Sequence, residues 1–544
     1  MRATTLALAL ALILGPLAAG LAVTLAAAAG HLPALGAAGP SAAPLAAVLV
    51  APGLGRGVAV TLWVGFAATA LALLIALAAV PLLWGRRVQA LLAPLIGAPH
   101  AALALGVAFL LAPSGWIARL FSPWATGWTV PPDLPTVGDP LGLALIAGLV
   151  VKEAPFLAFV LLAALGQRPV ARDLAAARAL GYGLRAAWWR AVLPQAWPAM
   201  RLPVLIVLSY SLSAVDVALI LGPTLPPTLP VQILRGFAAP DARMILPASA
   251  AAMLHAAVVA AALGLWLMAE RGAAMLWRAR VARGVRGRGG APNGIAVLPV
   301  ALLAGGAFAV LALWSVTWRW PFPEALPVAL SLRPWGMATG LTAAVGNTAL
   351  IAAGAAGLSL ALAVLWLEAA GPRALRAEAA LLAPLVVPQT AVVFGLSVAG
   401  LRAGLDGGIA AVTWAHALFV FPYVLLVLAG PWRAFDPRLM AAAAALGAGR
   451  VRRLVAVRLP VMLRPLAAAF AIGFAVSVGQ YLPTLAIGGG RVPTLTTEAV
   501  ALASGGDRRV AAVIGLVTAA LPVAVYLAAL ALPRAVWRHR RALR

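Results

Sequence analysis

The chain has 544 residues, 64% hydrophobic and 10% charged, with a mean hydropathy of +1.02 and a formal net charge of +26. A soluble protein of this length could not keep so much apolar surface from water, so the composition is that of an integral membrane protein. It has no cysteine, which excludes disulfides, iron–sulfur clusters and thiolate zinc sites, and its five histidines (His31, His100, His255, His416, His539) show no metal-ligand spacing.

Residues 5–29 form the first apolar run, after one arginine, Arg2. A signal-peptide core has about 7–15 residues, so this longer run reads as a membrane anchor. Cleavage at the small residues between Ala26 and Gly30 is the alternative, and both readings put His31 outside. Residues 58–84 return inward and end at Arg86-Arg87, and 90–112 lead out again. The loop that follows carries Trp116, Trp124, Trp128 and Pro131-Pro132; its tryptophans suit an interfacial anchor or a docking surface for an external partner. Residues 140–166 come in, a basic loop follows, 202–222 lead out and 244–268 return. Arg271, Arg278, Arg280, Arg283, Arg286 and Arg288 then stand among glycines in 270–294, which reads as a cytoplasmic linker.

The order recurs as 295–318, 338–366, 379–401, 406–430, a second basic loop, 466–487 and 510–532, with the tail from Arg534 to Arg544 inside. The expected fold is therefore all-α and membrane-embedded, with about twelve spans, because lipid offers backbone groups no partner outside the helix. Its parts are a first repeat, 1–269, the linker 270–294 and a second repeat, 295–544, with both termini in the cytoplasm. Most arginines fall in the loops assigned to the cytoplasm. That is positive-inside asymmetry rather than a nucleic-acid groove, and anionic lipid or a cytoplasmic subunit suits such a surface.

The two basic loops are copies. Asp173 to Pro194 reads DLAAARALGYGLRAAWWRAVLP, and Leu439 to Pro460 reads LMAAAAALGAGRVRRLVAVRLP. Ala175, Ala176, Ala177, Gly181 and Pro194 fall on Ala441, Ala442, Ala443, Gly447 and Pro460 at a single offset of 266 residues. The register continues from Pro227-Thr228-Leu229 to Pro493-Thr494-Leu495. Upstream, LLAPL at 91–95 recurs at 381–385, and Pro99 and Gly106 match Pro388 and Gly395, at an offset of 289–290. The Trp-rich loop accounts for the difference. A repeat of this kind divides the fold. An even number of spans per half makes it parallel, with its axis along the membrane normal and a shared pathway between the halves.

Few polar residues lie at membrane depth. Lys152, the chain's only lysine, and Glu153 sit within 140–166, Asp216 lies after the first loop, and Gln480 and Tyr481 lie near its equivalent in the second half. Intramembrane polar groups are costly, which makes these five candidates for a pathway; neighbouring helices satisfying them structurally is the alternative. Trp414, His416 and Pro422 suit packing between helices. No nucleophile elbow, H-E-x-x-H or P-loop occurs, and the residue after Lys152 is Glu153, so no phosphate-cradling lysine motif is present.

The duplicated loop resembles the EAA loop, E-A-A-x3-G-x9-I-x-L-P, of permease subunits in binding-protein-dependent ABC importers. Two copies in one chain are similar to the fused permeases of the thiamine and ferric-iron type. The run SVGQYLPTLAIGGGRVPTLTTEAV, from Ser477 to Val500, is most similar to the YnjC-type permeases. Ala175 and Ala441 replace the family's glutamate, and Ala191 and Val457 its isoleucine. The resemblance implies two six-helix repeats of the type I (MetI-like) importer fold in a bacterial inner membrane. It implies a coupling helix in each loop, two copies of a cytoplasmic ATPase that binds ATP and magnesium, and an external solute-binding protein. The chain itself would hold no cofactor and catalyse nothing. A twelve-span secondary transporter driven by an ion gradient is the alternative; it accounts for the repeat but not for the duplicated loops.

Overall fold

The computed structural model describes residues 2–83, 97–283, 297–370, 375–405 and 407–538. Arg86-Arg87, the 91–95 copy of LLAPL, Arg286, Arg288, His539 and the end of the basic tail lie outside the described residues. Among the described residues ten helices are long and apolar enough to cross a membrane, or up to twelve if each of two bent pairs is one span. The fold is an all-α membrane fold.

The first half runs α1 (Arg2–Ala28), α2 (Leu54–Leu83), α3 (His100–Leu111), α4 (Leu143–Gly166), α5 (Val170–Ala179), α6 (Leu193–Ser213), α7 (Asp216–Leu221), α8 (Leu229–Phe237) and α9 (Ile245–Ala282). The second runs α10 (Leu298–Ser315), α11 (Leu341–Ala369), α12 (Gln389–Arg402), α13 (Ile409–Arg433), α14 (Pro437–Ala445), α15 (Leu463–Val478), α16 (Leu482–Gly488), α17 (Leu495–Ala503) and α18 (Arg508–Val536). A small antiparallel pair, β1 (Thr317–Arg319) with β2 (Ala329–Leu330), follows α10.

The halves interlock through their first helices. Helix α1 packs on α12 of the second half, and α10 packs on α3 of the first. Glycine makes both crossings possible, because backbone meets backbone there. A Cβ at Gly106 would lie 2.6 Å from the Ala307 carbonyl oxygen, and one at Gly20 2.7 Å from that of Val392. Within each half the second and fourth spans pair, α2 with α4 and α11 with α13.

A matched polar contact recurs in each half. Thr61 on α2 accepts from the Leu229 amide at 2.9 Å, and Thr348 on α11 accepts from the Leu495 amide at 2.9 Å. Each threonine also donates to a carbonyl four residues back, Gly57 or Ala344, at 2.6 Å. These bonds satisfy the first N–H of α8 and α17, which no intrahelical carbonyl reaches. They fall at the last residue of the repeated Pro-Thr-Leu in each half.

Three expected spans are broken. Residues 379–401 are not one straight crossing: the segment Arg376–Leu385 meets α12 at 93°. Pro388 stands at the corner in an extended conformation and disfavours helical backbone in the residue before it. Residues 466–487 divide into α15 and α16, and the segment Arg450–Val461 meets α15 at 78°. Residues 202–222 likewise divide between α6 and α7, where Ala214 is extended. Hydropathy records the apolar content of such stretches but not the direction of the chain.

The start of the expected linker is also different. Helix α9 continues to Ala282, so Arg271, Arg278 and Arg280 are helical and Arg283 is its cap. The segment AERGAAMLWRARVA is rich in strong helix formers, which outweigh its single Gly272. In the Trp-rich loop, Trp116 donates to the Ala325 carbonyl at 3.0 Å and Arg119 to that of Pro321 at 2.6 Å. That loop is thus tied to the β1–β2 hairpin of the other half, while Trp124 stays exposed.

Candidate functional site

The two basic loops have the same geometry. Helix α5 ends at Ala179 and α14 at Ala445, and the next residues but one, Gly181 and Gly447, have φ of +84° and +80°. Gly181 N–H donates to Arg178 and Tyr182 N–H to Ala177; Gly447 N–H donates to Ala444 and Ala448 N–H to Ala443. This is the Schellman closure of a helix, which needs a left-handed residue and therefore glycine. Two residues later Gly183 and Gly449 start the next turn, accepting from Ala187 and Arg453. Both loops then pass through a π-helical turn, Trp188–Val192 and Leu454–Arg458. Such turns are rare and gather at functional sites. Pro194 opens α6, and Pro460 opens the short helix Leu459–Val461.

The residues left bare also match. Leu180 is 62% exposed and Leu446 88%, each just before its glycine. Arg172, Ala175, Ala176 and Ala179 form one exposed stripe on α5, and Arg438, Ala441, Ala442 and Ala445 form its copy on α14. Ala177 is buried and Ala443 half-buried, so they pack the loop against the body. Sequence reasoning singled out the alanines, glycines and prolines but missed Leu180, Leu446, Gly183 and Gly449. The repeated A-L-G-x-G was the available signal.

A second constellation lies at membrane depth. Lys152 and Glu153 diverge, as neighbours about 100° apart on a helix must. Lys152 Nζ donates to the Ala98 carbonyl at 2.6 Å, while Glu153 Oε1 lies 2.8 Å from His100 Nε2. The His100 ring sits 4.3 Å from that of Tyr210, whose hydroxyl donates to Asp216 Oδ1 at 3.4 Å. Tyr423 of the second half lies near Glu153, and Tyr481 lies near Asp216.

Of the five sequence candidates, Glu153, Asp216 and Tyr481 are thus gathered with His100, Tyr210 and Tyr423. Gln480 turns elsewhere: its Nε2 donates to the His416 carbonyl at 3.1 Å, and its buried Oε1 has no partner among the described residues. His416 bridges Ser477 and Thr484, each at 2.8 Å. Two further bonds cross between the halves. His255 Nδ1 lies 2.9 Å from Thr390 Oγ1, and Ser209 donates to the Val386 carbonyl at 2.7 Å. Among the described residues no three His, Asp or Glu side chains are placed to hold a metal ion.

No protein-family model matches the chain. It is 34% identical over 459 residues, 84% of its own length and 83% of the other's, to the inner membrane ABC transporter permease protein YnjC of Escherichia coli K12. A relationship of that extent cannot be confined to one loop, and with the all-helical, multi-pass architecture it makes this chain a member of the inner-membrane ABC transporter permease family.

Proposed function

We propose that this chain is the transmembrane permease subunit of an ABC importer, with two permease repeats of the MetI-like type in one polypeptide. An external binding protein delivers a small solute to the outer face. Two copies of a separate cytoplasmic ATPase grip the loops at α5 and α14. The observation that carries this reading is the matched pair of loops, with Gly181 and Gly447 left-handed and Leu180 and Leu446 bare at one sequence offset. A solvated connector that merely obeys charge asymmetry has no reason to repeat a Schellman closure, a second glycine and a π-helical turn.

The solute would pass between the halves, along Glu153, Asp216, His100, Tyr210, Tyr423 and Tyr481. Carboxylates at membrane depth support this, and so does the cluster's position where both halves contribute side chains. ATP and loaded binding protein drive transport by preferring one arrangement of the halves over the other. The test is purification of the chain from native membranes, with mass spectrometry of what accompanies it and uptake assayed in sealed vesicles. An ABC ATPase in the complex and uptake that needs ATP hydrolysis support the reading. Uptake that follows a proton or sodium gradient without ATP would replace it with secondary transport.

A further inference from the structure

Among the described residues, the exposed faces of both loops are predominantly basic and apolar. Arg172, Arg178 and Arg185 are exposed on the first loop, and Arg438, Arg450 and Arg452 on the second. The carboxylates nearby are few and each bonds within the chain, although Asp436 stays exposed. Asp173 accepts from Gln195 at 3.2 Å, and Asp436 accepts from the Arg438 amide at 2.9 Å. Glu368 pairs with Arg458 at 2.8 Å, and Glu378 pairs with Arg433. At the two places where related loops carry glutamate, the exposed residues are Ala175 and Ala441.

Only some of these cations are repeated. Arg172 and Arg438 stand 266 residues apart, in register with the glycines, whereas Arg178, Arg185, Arg450 and Arg452 have no arginine at the matching position. Each of the matched pair lies three residues before the substituted alanine, on the same face of its helix. Two identical ATPase copies present one groove twice, so what both grooves recognise must be repeated on the permease. The repeated features are an arginine, a bare leucine and the glycine turn.

Resting on the importer reading above, we infer that the ATPase groove receiving these loops is acidic, and that Arg172 and Arg438 make its repeated ion pairs. Leu180 and Leu446 fill the apolar part of the same groove. A basic groove would set like charges face to face, which disfavours the interface. The loss of glutamate at 175 and 441 is then the permease's half of a reversed polarity. Anionic lipid could bind the same arginines, but a lipid surface gives no reason for the arginine, leucine and glycine turn to match at one sequence offset.

The test uses the ATPase that co-purifies with the wild-type chain, rebound to immobilised permease in neutral detergent without lipid. Binding of the wild type should weaken about tenfold or more between about 50 and about 500 mM salt, as screened ion pairs do. Arg172→Glu with Arg438→Glu should weaken low-salt binding at least about tenfold, with lysine at both positions restoring most of it. Ala175→Glu with Ala441→Glu, which restores the relatives' residue, should weaken binding too, because it opposes an acidic groove and draws Arg172 and Arg438 into pairs on their own helix. Normal elution on gel filtration would show that each variant is folded. Salt-independent binding, or tighter binding by the glutamate variant, would overturn the inference. So would charge reversals that spare ATPase binding and abolish binding to phosphatidylglycerol vesicles, which would assign the arginines to lipid. Should wild-type permease hold no ATPase at any salt concentration, the importer reading itself fails, and the inference falls with it.

Discussion

Gly395 on α12 meets Gly20 on α1 so closely that a Cβ added at 395 would stand 1.9 Å from the Gly20 carbonyl oxygen. The first helix is therefore built into the second half of the molecule, and no side chain can be interposed. Gly395→Val should lower thermal stability in detergent, by about 1–3 kcal/mol if the helices part and remain folded. Gly106→Val at the equivalent crossing should behave alike. Gly346→Val is the control, since nothing lies within 4 Å of a Cβ there. Equal melting temperatures for all three would mean that the crossings are looser than described.

The matched threonines give a second prediction. Thr61→Val and Thr348→Val keep the shape of the side chain but leave the Leu229 or Leu495 amide without its acceptor. An orphaned buried donor costs about 1–3 kcal/mol, so each variant should melt below the wild type, and Thr→Ser should recover the loss. Unchanged melting for the valine variants would remove these bonds from the account of the fold.

The sequence shows the membrane class, the apolar runs and the duplicated loops plainly, because hydropathy and a repeat register both survive without coordinates. It does not show the 93° corner before α12 or the breaks at 214–215 and 479–481. Those turn on backbone direction, which apolar content does not encode, although Pro388 and Gly479 mark two of the places. The loop glycines were legible because a left-handed turn restricts residue choice so strongly. The polar cluster was half legible. Glu153 and Asp216 stand out as charges at depth, but His100, Tyr210 and Tyr423 are brought to them by packing from separate helices. Lys152 and Gln480 show the converse, since each reaches a backbone carbonyl, of Ala98 and His416.

For the pathway, Glu153→Gln and Asp216→Asn should each reduce uptake by about tenfold or more while the chain still inserts and assembles. A carboxylate kept at membrane depth is costly unless it serves a purpose there. Tyr210→Phe, which removes only the bond to Asp216, should have a smaller effect. Full transport in both carboxylate variants would return these residues to a structural role.

For topology, the charge bias puts Arg283 and Arg538 in the cytoplasm and Trp124 and Gly489 outside. The chain has no cysteine, so single cysteines at these four positions report cleanly on access. In intact cells an impermeant thiol reagent should label positions 124 and 489 only. Labelling at 283 would invert the assignment of the loops and place α5 and α14 on the wrong side for an ATPase.

The importer account rests most heavily on Gly181 and Gly447, at φ of +84° and +80°. A β-branched residue resists that conformation at a cost of about 1–3 kcal/mol, and would reopen the Schellman closure that presents Leu180 and Leu446. The decisive measurement is ATP hydrolysis by the purified complex, with and without loaded binding protein, for Gly181→Val, Gly447→Val and the double variant. Each single variant should reach the membrane at full length but lose part of the stimulation or retain less ATPase, and the double variant should lose nearly all of it. Wild-type retention and stimulation in the double variant would show that the loops are solvated connectors and would contradict the account at its centre.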